Sequence, residues 1–375
     1  MKKLIFSMAA ITLLATGCSS QNASHTKDVP SVIKIGFIGP LSGDAASYGV
    51  PSKDAIELAK QEINETGGIN GSTLEIVYED GKCDGKGASA AIRKLIDIDK
   101  VQYIIGGFCS GETLAAAPVA EQNKVILFSS SSGSPDITHA GDFIFRNFPS
   151  DASSATKLAK LAKEKGMLRV ATLTEITDYA QAFTRTFSQT FEKLGGSLVT
   201  RQEYESSSKD FRSQLTKVKA SDADAILVIA QTPEEFALIL KQIKEIGIDL
   251  PLLSNEFLVS DMVKESSSLV QEGYYAEPLF DETRPATKAY MDKYQAAYQS
   301  HGSLPPVYIA TAYDAVYIAK EAIEASGLNT EKIRDYLYSI KNREGAAGTL
   351  SIDANGDAEF QYVVKEIRNG VVQDL

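Results

Sequence analysis

Histidine is scarce in this 375-residue chain: three residues, His25, His139 and His301, are too few and too scattered for a set of imidazole metal ligands. Basic residues are outnumbered, with 38 Lys and Arg against 49 Asp and Glu and a formal charge of −11. Phosphate binding needs a basic patch, so this balance argues against nucleic acid as a partner. Long apolar runs are missing as well, since no stretch approaches the roughly 20 residues of a membrane-spanning helix. Catalytic signatures are absent in the same way. Ser206-Ser207-Ser208-Lys209 satisfies S-x-x-K, but its S-D-N and K-T-G partners are not in the chain. Phe108 and Glu112 stand where a nucleophile elbow around Ser110 needs glycine, and Gly36-Phe37-Ile38-Gly39-Pro40 is not G-x-G-x-x-G. The sequence reads as a non-enzyme with neither metal nor cofactor.

Its beginning reads as a targeting segment. Lys2 and Lys3 precede a short apolar run from Leu4 to Leu14, about half a bilayer span and therefore a signal rather than an anchor. Leu14-Ala15-Thr16-Gly17-Cys18 resembles the lipobox of bacterial lipoproteins, which implies cleavage after residue 17 and a lipid on Cys18. An ordinary secretory peptide with a stray cysteine is the alternative. Residues 18–31 are the lipidated cysteine and a polar tether without period. Losing Lys2 and Lys3 takes the formal charge from −11 to −13, so the exported body is clearly acidic. It is expected in the cell envelope, lipid-anchored and facing the periplasm or the exterior.

With 43% hydrophobic residues, and about 345 positions beyond the tether, the chain has enough for two domains. Short β-branched runs alternate with segments of helical period, the signature of parallel sheets with crossover helices. Val32 to Ile38 is a strand, and the helix ending near Thr66 carries Ala55, Ile56, Ala59 and Ile63 on one face. Leu74 to Tyr78, Val101 to Ile105 and Val125 to Phe128 are further strands, with helices over Ala88 to Ile98 and Leu114 to Gln122. The same rhythm restarts with helix Ala152 to Lys165 and continues to helix Pro233 to Ile246. Two long helices follow, Pro285 to His301 and Val307 to Ala325, and then Gly348 to Ile352 and Glu359 to Ile367 read as strands flanking an Asn355-Gly356 turn. The expected fold is α/β, two doubly wound lobes joined by a multi-strand hinge. Lobe one takes residues 32–150 and 284–347, and lobe two takes 151–283 and 348–375.

Several pieces then fall into a known order. Ile38-Gly39-Pro40-Leu41-Ser42-Gly43, Tyr48-Gly49 and Ile63-Asn64-Glu65-Thr66-Gly67-Gly68-Ile69-Asn70-Gly71 resemble the opening of the leucine/isoleucine/valine-binding family of type I periplasmic binding proteins. Gly106-Gly107-Phe108-Cys109-Ser110, Ser134-Pro135-Asp136-Ile137-Thr138, Phe145-Arg146, Asp210-Phe211 and Asn255-Glu256 are similar to its later landmarks. The resemblance implies an extracytoplasmic solute-binding lipoprotein of an ABC transporter. Its expected ligand is a small amino acid, branched-chain or otherwise aliphatic first, held between the lobes and delivered to a membrane permease. The alternative keeps the fold but makes it a ligand sensor, or an activator of cell-wall synthesis through protein contacts.

Cys83 and Cys109 are the cysteines of the exported body, and an even count in an oxidising compartment favours a bridge over two free thiols. Relatives with cysteines at similar places bridge them beside the ligand. Ser110 and the Ser129 to Gly133 loop follow strands, where open α/β sheets bind ligands and helix N-termini offer free N–H groups to anions. By resemblance Ser110, Ser131 and Gly133 touch the ligand's carboxylate and amine, although plain helix capping explains such serines equally. Glu256 matches the family's amine-binding carboxylate, with a solvated loop acid as the alternative. Tyr48, Tyr179 and Gln231 match positions that line the family's pocket, where packing is the competing explanation.

Overall fold

The computed structural model describes residues 30–259, 270–302 and 304–375. The signal segment, Cys18 and most of the tether lie outside the described residues. The first sheet contains β1 (Val32–Gly39), β2 (Thr73–Asp80), β3 (Tyr103–Ile105), β4 (Ile126–Ser129) and β5 (Ile144–Arg146) in the order β2-β1-β3-β4-β5. All four pairings are parallel. Crossovers run through α1 (Ala46–Glu65), α2 (Gly85–Asp97) and α3 (Ser110–Asn123). The expected apolar stripe of α1, Ala55, Ile56, Ala59 and Ile63, is buried against this sheet.

A second unit repeats the plan with β6 (Arg169–Glu175), β7 (Ser197–Tyr204), β8 (Ala225–Ile229), β9 (Leu252–Asn255) and β10 (Glu272–Pro278). Its parallel part runs β7-β6-β8-β9-β10, the same winding as the first sheet. Helices α4 (Ala152–Glu164), α5 (Asp178–Lys193), α6 (Arg212–Lys219) and α7 (Pro233–Ile246) cover it. Two antiparallel strands, β13 (Tyr362–Arg368) and β14 (Val371–Asp374), extend its edge beyond β10. In both sheets the order reverses beside the first strand, which opens a crevice at the carboxyl ends of the strands where such folds take ligands. The two crevices face each other.

Three helices, α8 (Pro285–Tyr298), α9 (Pro306–Ser326) and α10 (Thr330–Tyr338), return to the first unit. The apolar residues of α9, Ile309, Ala312, Val316 and Ala319 among them, share one core with β1 and α1. A short pair, β11 (Arg343–Glu344) and β12 (Thr349–Leu350), follows α10. The expected hairpin across Asn355-Gly356 is present only beside its turn, where Ile352 and Ala358 form an antiparallel bridge; further out Leu350 pairs with Arg343, and Tyr362 to Arg368 pair with β10. The turn itself is docked on the first unit, because Arg146 Nε donates to Asp357 Oδ1 at 2.7 Å and the Arg146 amide to the Gly356 carbonyl at 3.0 Å. Ile352 and Ala358 also sit in the first core, so the third crossing between units comes after Ala358 and not at Ala347.

Helix α3 begins four residues earlier than its apolar period predicts. Glu112 is the cause: its carboxylate turns back to accept from the amide of Cys109 at 2.9 Å, closing a capping box that starts the helix at Ser110.

Candidate functional site

Loops at the carboxyl ends of β1, β3 and β4 meet those of β8 and β9 around one cavity of about 30 Å³. It is lined by six of the residues expected from sequence: Tyr48, Ser110, Ser131, Gly133, Tyr179 and Gln231. Glu256 is not among the lining residues. It is 5% exposed and its Oε1 accepts from the Tyr308 hydroxyl at 2.5 Å, while Tyr308 itself forms part of the cavity wall.

Each position has a local cause. Cys109 is disulfide-bonded to Cys83 with their Cα atoms 5.2 Å apart. The two carboxylate oxygens of the buried Glu112 accept from the amides of Cys83 and Cys109, each at 2.9 Å, so one acid holds both ends of the bridge. Burial raises the Glu112 pKa to about 7, against the lowering effect of those amides. The bridge fixes Ser110 at the start of α3, where first-turn amides lack helical acceptors. Ser110 Oγ accepts from the Ser134 amide at 3.1 Å, which leaves its hydroxyl proton free to be donated. Ser131 differs, because its hydroxyl donates to the Phe108 carbonyl at 2.8 Å. Its side chain can offer only an acceptor to a ligand. Tyr179 is oriented by Asn255, whose Nδ2 donates to its hydroxyl at 2.7 Å.

Five further lining residues were not singled out by sequence: Phe108, Asp151, Phe257, Leu304 and Tyr308. Phe108 lies inside a motif already read for its serine, and Phe257 directly follows Glu256, so proximity in sequence was the available signal. Tyr48 stacks between these two rings, with centroids 6.2 Å from Phe108 and 6.0 Å from Phe257. Since Tyr48 belongs to the first unit and Phe257 to the second, the stack bridges the cleft, as does the bond from Tyr308 to Glu256. Ion pairing of Arg185 with Asp136 at 2.5 Å adds a third bridge near the rim. The cleft is closed.

Asp151 gave no sequence signal, because a lone acid after Pro149-Ser150 looks like a helix cap. It is buried, and Tyr362 donates to its Oδ1 at 2.6 Å. A Cβ added to Gly133 would stand 1.8 Å from Asp151 Oδ2, so the missing side chain is what admits this carboxylate. Burial raises Asp151 to about 6. Burial first, and then the charge of Asp151, raises Glu256 to about 8. No Lys, Arg or His stands among the described lining residues. The neighbouring cation, Arg146, is spent on Asp357 and on the Ser132 and Ser134 carbonyls at 3.0 and 2.9 Å. Among the described residues the site thus has two buried carboxylates, Asp151 in the wall and Glu256 bonded to the wall residue Tyr308, no cation in its lining, and on the same cavity a helix start that can accept an anion. That pattern is complementary to a zwitterion.

The chain matches the periplasmic binding protein family over residues 32–370. It is 28% identical over 339 residues, 89% of each chain, to the leucine-, isoleucine-, valine-, threonine- and alanine-binding protein of Pseudomonas aeruginosa. Among solved structures it is similar to a leucine-binding protein of Thermotoga maritima, with a TM-score of 0.81, 28% identity, and coverage of 92% of this chain and 97% of that one. It is likewise similar to a branched-chain amino acid transporter substrate-binding protein of Streptococcus pneumoniae solved with isoleucine, with a TM-score of 0.79, 28% identity, and coverage of 91% and 98%. The chain belongs to the type I periplasmic binding proteins, in the leucine/isoleucine/valine-binding group, and is a binding protein rather than an enzyme. The family is extracytoplasmic, and among the described residues no helix is long and apolar enough to cross a membrane.

Proposed function

We propose that the protein captures an amino acid by its α-groups, aliphatic side chains being the first to test, and presents it to the permease of an ABC transporter. The carrying observation is the pair of buried carboxylates, Asp151 in the cavity wall and Glu256 bonded to the wall residue Tyr308, beside a cavity that the α3 start also lines and that has no Lys, Arg or His among its described lining residues. Glu256 receives the ligand ammonium in a charge-assisted bond. Ser110 donates to the ligand carboxylate together with the first amides of α3, where the helix end favours negative charge. Ser131 and Gly133 contribute the loop surface, and Tyr48, Tyr179 and Gln231 enclose the rest.

Closing the cleft without a ligand buries these acids with hydroxyl partners but no counter-charge among the described lining residues, so the ammonium is what makes the closed form favourable, and ligand and closure are coupled. The lobes turn about the chain crossings near Ser150, Thr283 and the segment between Ala358 and Tyr362. The permease recognises the closed form. Cleavage after residue 17 leaves Cys18 to carry the lipid that keeps the protein at the membrane. A ligand-sensing or cell-wall-activating role is favoured by a blocked cleft, whereas this one keeps a cavity walled by hydrogen-bonding groups.

A thermal-shift screen of free amino acids finds the ligand, since one present at about 100 times its dissociation constant adds roughly 2.7 kcal/mol of stability. Calorimetry of Glu256→Gln with the best ligand then tests the ammonium contact. Losing one partner of a desolvated charge pair costs about 2 to 5 kcal/mol, so binding weakens at least tenfold. Equal affinity of variant and wild type would remove Glu256 from the site and end this reading.

A further inference from the structure

A second cavity, of about 370 Å³, opens between the lobes just outside the first. The two share a wall: Gln231 lines both, and the disulfide presents Cys109 to the inner cavity and Cys83 to the outer one. Three glutamates of the second lobe, Glu175, Glu234 and Glu235, converge there. Glu175 and Glu235 are only 2% and 5% exposed. Glu175 accepts from the Gln231 amide at 2.5 Å and from Ser206 Oγ at 2.7 Å. Glu235 Oε1 accepts from the Ser207 amide at 2.8 Å, and Glu234 Oε1 from Ser47 Oγ at 3.3 Å. The remaining oxygens, Glu234 Oε2 and Glu235 Oε2, are buried without a partner. Lys82 and Lys209 also reach this cavity, but both are exposed and stand against Asp44 and Asp84 as well as the three glutamates.

Tyr48 links this cluster to the ligand. Its ring lines the inner cavity, it is 3% exposed, and its hydroxyl has no hydrogen-bond partner. After burial, the influences on that hydroxyl are the charges of Glu234, Glu235 and Glu175 and a loose side-chain approach to Glu234, so it is directed at the outer cluster. Buried polar atoms left unpaired in a native site call for an explanation, and a bound group is one. Three such atoms from three side chains, Tyr48, Glu234 and Glu235, gather here.

We propose that the ligand is an amino acid whose side chain ends in a cation, its stem lying along the Phe108-Tyr48-Phe257 stack and its charged end among Glu175, Glu234 and Glu235. The proposal rests on capture of the α-groups as described above. The inner cavity, about 30 Å³, is not much above the ~10–15 Å³ that one water requires, so a longer side chain has to leave it past Tyr48 and Gln231. A methylene stem suits aromatic walls, and a cation at its end gains from the faces of such rings and from acids that are otherwise desolvated. An apolar side chain of equal length would bury those acids with only the exposed Lys82 and Lys209 to offset them. Burial and the charge of Glu175 already raise Glu235 to about 8, so in the empty site a proton occupies the place of the cation.

L-lysine and L-norleucine differ in whether the side-chain end is an ammonium or a methyl group, which makes them the decisive pair; L-ornithine and L-arginine extend the series. Calorimetry with wild type should give lysine, ornithine or arginine an affinity at least about tenfold above norleucine, one decade being ~1.4 kcal/mol. Glu235→Gln and, separately, Glu175→Gln should erase that preference while norleucine binds as before, which also shows that the variants are folded. Glu256→Gln should weaken every ligand alike. Norleucine binding as tightly as all three basic amino acids would overturn the proposal and leave amino-acid capture standing. Failure of every amino acid to bind wild type would overturn both.

Discussion

The Tyr308 hydroxyl, on the helix α9 of the first lobe, donates to Glu256 Oε1 of the second at 2.5 Å. Both groups are buried, and Tyr308 is itself held by stacking on Phe148 at 4.7 Å between centroids. The bond does two things at once. It orients the carboxylate that we assign to the ligand ammonium, and it makes that carboxylate a fastener between the lobes.

Tyr308→Phe is therefore expected to weaken ligand binding by about tenfold, because a hydrogen bond to a charged group contributes ~1.5–3 kcal/mol and part of it is recovered by the ammonium. The aromatic packing is kept, so the melting temperature of the ligand-free protein should change little. Calorimetric titration checks the first point and a thermal melt the second. Unchanged affinity would mean that Tyr308 only packs.

The bridge between Cys83 and Cys109 spans 26 positions of chain and should stabilise by roughly 3.5 kcal/mol in the chain-entropy estimate. Reduction should lower the melting temperature, and because the bridge positions Ser110, it should also weaken ligand binding. Mass measurement after alkylation, with and without reduction, establishes the bridge in the exported protein. Two alkylated thiols in the unreduced sample would remove it. Glu112→Gln keeps the shape but exchanges one acceptor for a donor facing an amide, so it should destabilise the same corner by about 1–3 kcal/mol.

Much of the scaffold was legible because its signals are local. The stripe Ala55, Ile56, Ala59 and Ile63 repeats at helical spacing, and strands such as Ala225 to Ile229 are continuous apolar runs of the kind buried on both faces. Strand β10 went unread for the opposite reason. Its sequence, Glu-Gly-Tyr-Tyr-Ala-Glu-Pro, carries glycine, proline and charge, and it is a strand because β9 and β13 flank it. The short reach of the hairpin has a similar origin: Asn355-Gly356 is a sound turn signal and Ile352 does bridge Ala358 across it, yet contacts such as the Arg146 to Asp357 pair, 211 positions apart, dock the turn and the outer arms pair elsewhere. In the site, residues after strand ends could be read through the motifs around them. Asp151 could not, since its place depends on what Gly133 lacks, and Tyr308 sits on a helix whose apolar length concealed the hydroxyl that reaches Glu256.

Gly133 and Asp151 supply a test of that dependence. A methyl group at Gly133 would stand 1.8 Å from Asp151 Oδ2, and a carboxylate fixed by Tyr362 cannot simply swing away. Gly133→Ala should therefore destabilise by about 1–3 kcal/mol, the usual range for overpacking. Asp151→Ala should relieve the clash, so the double variant should be more stable than the sum of the single effects predicts, a coupling that a double-mutant cycle reads directly. Additive effects in chemical denaturation would show that the two positions do not compete for space.

Proton linkage gives the last prediction. In the closed, ligand-free form Glu256 titrates near 8, raised by burial and by Asp151, from an ordinary 4.5. Between those values the folded carboxyl keeps a proton that the unfolded one has lost, so this group's contribution favours the closed form at low pH and fades as pH rises through the window. The ligand reverses the sign. An ammonium beside Glu256 favours the carboxylate, so binding below about pH 8 must expel the proton, and affinity should climb from pH 6 to pH 8 by up to about tenfold per unit. Calorimetry in two buffers of different ionisation enthalpy should report proton release at pH 7 with an aliphatic ligand, for which the outer glutamates have no partner. Glu256→Gln should flatten the affinity profile and remove the buffer dependence. A wild-type affinity that is level over the same range, with no buffer dependence, would mean that Glu256 is already charged before the ligand arrives, and closure would then need another source of selectivity for the ammonium.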